Sequence, residues 1–169
     1  MRIARGVALL LVAATCSSLA VRVGDLPHRR PGLWEITRLN VDANNPARTS
    51  KICIDAATET LLRDMGASVA KSMCSKTAVS TSGNAVSVDS VCQIDRSRLT
   101  NHTVITFTSE TAYHHVAAMH FEPPLFGRAD SISEMDGKWL GPCAADMRPG
   151  DVITAMGKIN LVDRAQLPK

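Results

Sequence analysis

Aromatic residues make up only 4% of this 169-residue chain. The core is therefore expected to rest on Val, Ile, Leu, Met and Ala rather than on stacked rings. No Cys-x-x-Cys pair occurs, and no cysteine has a histidine close by in sequence. That removes the short redox motif and the usual cysteine–histidine zinc patterns. No G-x-S-x-G elbow, P-loop or dinucleotide fingerprint is present, so the common routes to nucleophilic hydrolysis and to phosphate or nicotinamide binding lack their motifs. No cofactor is expected. Apolar runs are short as well. The longest, "VALLLVAA" at 7–14, falls well under the roughly 20 residues that cross a bilayer.

That run sits where a leader would. Arg2 and Arg5 precede it, and "SLA" at 18–20 offers small residues for cleavage. Residues 1–20 thus read as a secretory signal peptide. Cys16 raises a lipoprotein alternative, but Thr15 stands where a lipidation site wants Gly or Ala. The formal charge of +3 comes largely from this segment: without Arg2 and Arg5, seventeen basic residues face sixteen acidic ones. A net of +1 gives no electrostatic case for nucleic acid, and no transmembrane segment is expected after cleavage.

Past residue 20, four cysteines remain: Cys53, Cys74, Cys92 and Cys143. An even number in an exported chain reads as two disulfides. Cys74 and Cys92 each lie nine residues from Gly83, inside two strand-like runs that flank the turn chemistry of "SGN", 82–84. A hairpin centred on Gly83 sets the two cysteines face to face, whereas a two-residue turn shifts the register by one and spoils the match. Cys53 and Cys143 then pair by default.

Along the chain, "GLWEITRLNVD" (32–42) reads as a first strand, 43–50 as a loop and "KICI" as a short strand. Asp55 is placed to cap a helix that runs to about Ser72. Its apolar stripe is Leu61, Leu62, Met65, Val69 and Met73, a spacing typical of a core-facing surface. After the Cys74–Cys92 hairpin, residues 101–121 read as a second hairpin, "EPPLFG" (122–127) as its break, and 128–143 as one or two strands around an Asp136-Gly137 turn. The tail from Ala144 contains an alternating stretch, "VITAMGKINLV", to which no element is assigned. The expected fold is mainly β (α+β): one curled antiparallel sheet or half-barrel of five to seven strands, with the helix packed on it and two disulfides. A closed small barrel is the rival. The domain is expected over 21–146, with 147–169 as a tail.

The order "RPGLWEIT", a Cys before a helix, a "C…SGN-x-V…C" hairpin, a "FT…Y" hairpin and "KWLGPC" resembles the bacterial family called domain of unknown function 3617, over roughly residues 30–146. The resemblance implies a small exported protein of Gram-negative bacteria, expected in the periplasm. It carries no established activity and no catalytic residues. One departure is clear: the return strand of the second hairpin, usually rich in Thr and Met, here carries His114, His115 and His120.

Those three histidines, among five in the chain, look like a cluster. On a strand they are not one. Side chains alternate faces at about 3.3 Å per residue, so His114 and His120 share a face roughly 20 Å apart and His115 points the other way. With a three-residue turn at Glu110-Thr111-Ala112, one face holds Ile105, Phe107, Tyr113, His115, Ala117, Met119 and Phe121. This more apolar face is expected to line the core. The other holds His102, Val104, Thr106, Thr108, His114, Val116, Ala118 and His120. In that register His102 stands opposite His120. With Glu122 on the same parity, these three form the metal-site candidate; the competing reading is surface histidines without a ligand role. Asp130, Glu134 and Asp136 read as a solvated acidic face. The functional expectation is a non-enzymatic binding or accessory module for an apolar ligand or another envelope component. The alternative is a small hydrolase or metal-binding protein built on His102, His120 and Glu122.

Overall fold

The computed structural model describes residues 27–39 and 48–165. The expected signal peptide, Cys16 and most of the 43–50 loop lie outside them. The described residues form nine strands and two helices: β1 (Gly32–Leu39), β2 (Arg48–Ile54), α1 (Ala56–Met73), β3 (Cys74–Ser82), β4 (Ala85–Ile94), β5 (Ser97–Ser109), β6 (Ala112–Leu125), β7 (Arg128–Gly141), β8 (Asp151–Thr154), β9 (Gly157–Asn160) and α2 (Leu161–Ala165). All nine strands join one antiparallel sheet in the order β3-β4-β5-β6-β7-β1-β2-β8-β9. The sheet is open, with β3 and β9 as its edges, so no barrel closes. The strand number corrects the expected five to seven. The surplus comes from the tail: its alternating stretch folds into the β8–β9 hairpin, and β8 pairs with β2 through Ile52 and Val152. The sheet therefore runs past residue 146.

Helix α1 links β2 to β3, which stand six positions apart in the sheet. An 18-residue helix is about 27 Å long, and six strand spacings cover about 29 Å. The helix is thus long enough to cross that face in one span, and it touches β2, β3 and β4. Asp55 caps it as expected, its carboxylate accepting from Thr58 N at 2.7 Å. That bond, first among several, holds the Asp55 carboxyl below the usual carboxylate range. The apolar stripe behaves differently along its length. Leu62 packs against the core, while Met65, Val69 and Met73 are exposed. Three apolar side chains of the helix's rear half thus stay on the surface.

The core is mostly aliphatic, as expected, but it is built around one ring. Its centre is Trp34, with Ile52 and Ile54, and around it pack Ile36, Leu62, Tyr113, Trp139, Val152 and Leu161. One tryptophan buries on the order of 200 Å². The quoted motifs converge here. Trp34 faces Trp139 across β1 and β7. Their indole nitrogens donate to the carbonyls of Arg30 and Pro31, at 2.8 and 3.0 Å. Gly32, at φ +136°, lies so close to Gly141 that a Cβ would come within 2.3 Å of its carbonyl oxygen. "RPGLW" and "KWLGPC" are thus two halves of one packing joint. The Cys53–Cys143 disulfide closes beside it.

Strand β7 runs unbroken through Asp136-Gly137, where a turn was expected. Gly137 is there because Tyr113 lies across it: a Cβ would sit 2.2 Å from the tyrosine ring. A glycine inside a strand often marks such a close approach rather than a bend.

Both hairpins turn on two residues and then shift register once more. In β3–β4, Ser82 faces Ala85, and the ladder continues to Lys76 opposite Val91. That register alone would separate the cysteines. A bulge at Ser75 takes up one residue and brings Cys74 opposite Cys92, where they form the second disulfide. The pairing expected from symmetry is present, but the bulge rather than the turn secures it.

Candidate functional site

The β5–β6 hairpin positions every histidine singled out above. Ser109 faces Ala112, and a shift between Phe107 and Ser109 then sets Phe107 opposite Tyr113, Ile105 opposite His115, His102 opposite Ala118 and Thr100 opposite His120. The register lies two residues from the expected one. A shift of two preserves faces and changes partners. The inner face therefore carries Ile105, Phe107, Tyr113 and His115 as expected, but His102 and His120 do not stand opposite each other.

On the outer face each of the three histidines meets an acid of the neighbouring strand. His102 faces Asp89 across β4–β5, with Nδ1 2.7 Å from Oδ1. His114 faces Asp136 and His120 faces Asp130 across β6–β7, at 2.7 and 2.8 Å. Glu134 adds a longer contact to His114 Nε2, 3.4 Å. The acids read as a solvated face are thus the histidines' partners. Glu122 faces Arg98 and is exposed. Among the described residues, no three His, Cys, Asp or Glu side chains converge on a position for a metal ion, and no hydroxyl or thiol hydrogen-bonds these three rings. They are cross-strand pairs on open surface.

The inner face is enclosed differently. A cavity of about 270 Å³ lies between β4–β7 and the start of α1. Its apolar wall is Val86, Ile105, Phe107 and Met135, and His115 and Tyr113 line it as well. Tyr113 packs on both Trp34 and Phe107, with ring centroids 5.6 and 6.0 Å apart. On the helix side stand Arg29, Glu59 and Arg63. Arg29 grips Glu59 with two nitrogens, at 2.6 and 3.0 Å. Arg63 lies 3.7 Å from the other Glu59 oxygen and donates to the Pro27 carbonyl at 2.6 Å. Glu59 is buried, in the first turn of α1, where the helix dipole favours an acid. Burial works to lower the Arg29 pKa, but the bond to Glu59, helped by the Tyr113 phenol, raises it above its ordinary value. Burial also pushes the Tyr113 hydroxyl upward.

His115 is the exception among these groups. Its Nδ1 is buried and has no hydrogen-bond partner. Burial, the largest influence, pushes the imidazole below its usual range; the ring's own backbone opposes it, and the nearby His114 and Arg38 add smaller pushes downward. The ring is neutral at pH 7.

A second cleft, of about 440 Å³, is wider and polar, lined by Met147, Arg148, Asp151, Lys158 and Asn160 among others. Its charges answer one another. Asp151 accepts from Arg148 N at 2.9 Å, Asn160 Nδ2 at 2.9 Å and Lys158 Nζ at 3.1 Å. These contacts, the backbone bond first, hold its carboxyl down to about 2. Arg148 bonds Asp163. The cleft reads as the brace of the β8–β9 hairpin. The smaller, apolar cavity has the character of a ligand site: apolar walls with a few convergent polar groups.

Arg29 and Glu59 were not singled out from sequence. They lie 30 residues apart, and no periodicity links them; only an acid just inside a capped helix hinted at Glu59. The inner-face lining, by contrast, was legible from alternation.

No helix among the described residues is long and apolar enough to cross a membrane. Neither a curated protein nor a solved structure matches the chain. A family model described as a protein of unknown function, DUF3617, matches residues 29–143, the span that holds both tryptophan motifs, both disulfides and every lining residue of the apolar cavity except Pro27, and the chain belongs to that family.

Proposed function

We propose that this protein is a non-enzymatic binding module of the bacterial envelope that holds a small, mainly apolar ligand between its sheet and the start of α1. The observation that carries this reading is the cavity walled by Val86, Ile105, Phe107 and Met135. A concave apolar wall with a few polar groups at its rim is the usual form of a small-molecule site. Export is supported by the leader-like residues 1–20 and by two disulfides, which persist in oxidising compartments. An enzymatic reading finds less support. Histidine–carboxylate pairs exist, but on exposed surface and without a nucleophile hydrogen-bonded to any of them.

The test is displacement of a fluorescent apolar dye from the mature, oxidised protein, alongside native mass spectrometry of material purified from the periplasm. Ile105→Trp fills the cavity and is expected to weaken dye binding at least tenfold while the protein stays folded. Equal binding by wild type and Ile105→Trp would sink the proposal.

A further inference from the structure

The β3–β4 and β5–β6 hairpins turn on Gly83-Asn84 and Glu110-Thr111 at one end of the sheet. The β4–β5 and β6–β7 hairpins turn at the other end, on Asp95-Arg96 and Phe126-Gly127. The last of these turns stands apart. Both its central residues have positive φ, 49° and 78°, the form that favours Asn-Gly or Asp-Gly. The neighbouring turn uses an aspartate, Asp95, at its own positive φ of 51°. Here a phenylalanine takes that place, 96% exposed. A bulky residue at positive φ is a backbone outlier, and such outliers gather at functional positions. In water an asparagine would serve this turn better.

Strand register shows what surrounds Phe126. Arg98 faces Glu122 and Leu99 faces Phe121; Leu99 also faces Cys92, and Cys92 is bonded to Cys74. The disulfide therefore holds the last residue of α1, Met73, at the same end of the sheet as both turns. Val69 and Met73 are exposed and join Phe126 as apolar groups of this end. The two turns lie two strand spacings apart, about 10 Å. Among the described residues, β1 pairs with β7 only as far as Leu39 opposite Glu134, so the β6–β7 hairpin projects past it by about 20 Å. Charge gathers here too. Residues 69–74, 92–99 and 121–129 hold Lys71, Arg96, Arg98 and Arg128, all exposed, against Asp95 and Glu122, a net of +2. The rest of the chain past residue 20 carries a net of −1. Asp130, just further in, is answered by His120.

We infer that this end of the sheet rests on an anionic bilayer surface, with Phe126 inserted among the head groups and Lys71, Arg96, Arg98 and Arg128 against their phosphates. Exposed apolar side chains set among basic ones are the combination that holds a protein to such a surface. A narrow projection suits shallow insertion better than the broad contact, roughly 1,000 Å², of a specific protein interface. The inference goes beyond the ligand reading above and does not depend on it.

The test is co-sedimentation of the mature, oxidised protein with vesicles of phosphatidylcholine, alone or mixed in equal parts with phosphatidylglycerol. The mixed vesicles are expected to bind it about tenfold more tightly than the neutral ones, and less so as salt is raised. Phe126→Asn is expected to weaken that binding about tenfold, the worth of withdrawing much of a phenylalanine from water. Asparagine accepts positive φ, so the denaturation midpoint of this variant should not fall. Arg96→Ser should weaken binding about fivefold, the worth of one basic side chain near an anionic surface. Met156→Ser is the control: it removes an equally exposed apolar side chain from the β8–β9 turn and should bind as wild type does. Absence of wild-type binding to the mixed vesicles overturns the inference. An equal loss in Met156→Ser and Phe126→Asn overturns it as well, since it marks general apolar adhesion. A concentration-dependent dimer formed without vesicles and abolished by Phe126→Asn overturns it in favour of a contact between copies. Dye binding in the cavity is read separately and stands or falls on its own.

Discussion

On the outer face of the β5–β6 hairpin, His102, His114 and His120 each rest against an aspartate of the next strand. On the inner face, one residue from His114, the Nδ1 of His115 is buried without a partner. The same side chain thus answers two environments. Outside, water competes for both members of each pair, and an exposed ion pair contributes about 0–1 kcal/mol. Inside, charge survives only where it is fully answered, as in Arg29 and Glu59, and an unanswered group is held neutral by burial. The outer face tolerates polar chemistry; the inner face makes it specific.

Substitutions can break that contrast. The largest effect is expected from Glu59→Gln, which leaves Arg29 buried without its counter-charge. Removing one member of a buried pair costs about 3–5 kcal/mol, and the residual exposure of Arg29 (18%) favours the lower end. A denaturant titration reads it directly; a loss under about 1 kcal/mol would place this pair with the surface pairs.

The next effect is in pH. The folded His115 has a lowered pKa, against an unfolded value near 6.5. Between those two values the unfolded chain binds more protons than the folded one, so stability rises with pH across that window. The contribution is complete above about pH 6.5 and is lost as pH falls through the window. The melting temperature of wild type is therefore expected to fall on acidification from pH 7 to pH 5 by more than that of His115→Phe. Parallel curves for the two proteins would show that His115 is not burdened by burial.

The smallest effect is expected from Asp136→Asn. It removes one acid from His114 on open surface, where Glu134 still stands 3.4 Å away, and should change stability by less than about 1 kcal/mol. A loss comparable with that of Glu59→Gln would erase the distinction between the faces.

Sequence symmetry found the Cys74–Cys92 pair, yet the assumed three-residue turn is absent. The hairpin makes a two-residue turn and recovers the match through a bulge at Ser75. The same device in the next hairpin moved the register by two, setting His102 opposite Ala118 rather than His120. Bulges are settled by the packing of both faces at once, and short-range pattern carries little sign of them. Gly137 is a parallel case. Asp-Gly is good turn chemistry, but at this position the glycine makes room for Tyr113, a residue of the adjacent strand. The Met65–Val69–Met73 stripe has the spacing of a core surface, yet its side chains are exposed.

What the sequence by itself determined is what depends on local periodicity. The faces of the inner residues Ile105, Phe107, Tyr113 and His115 of β5 and β6, the capped helix after Asp55 and the hairpin around the cysteine pair all follow from alternation, turn residues and a cap. A two-residue period is indifferent to an even shift of register, so the inner lining of Ile105, Phe107, Tyr113 and His115 was legible before any partner was known. Tertiary structure alone decided which residues meet across strands: Asp89 with His102, Arg29 with Glu59, β8 with β2, Tyr113 with Gly137. Those contacts depend on bulges, on the span of one helix and on the volume left beneath it, and each is a balance struck among distant segments rather than a property of any one of them.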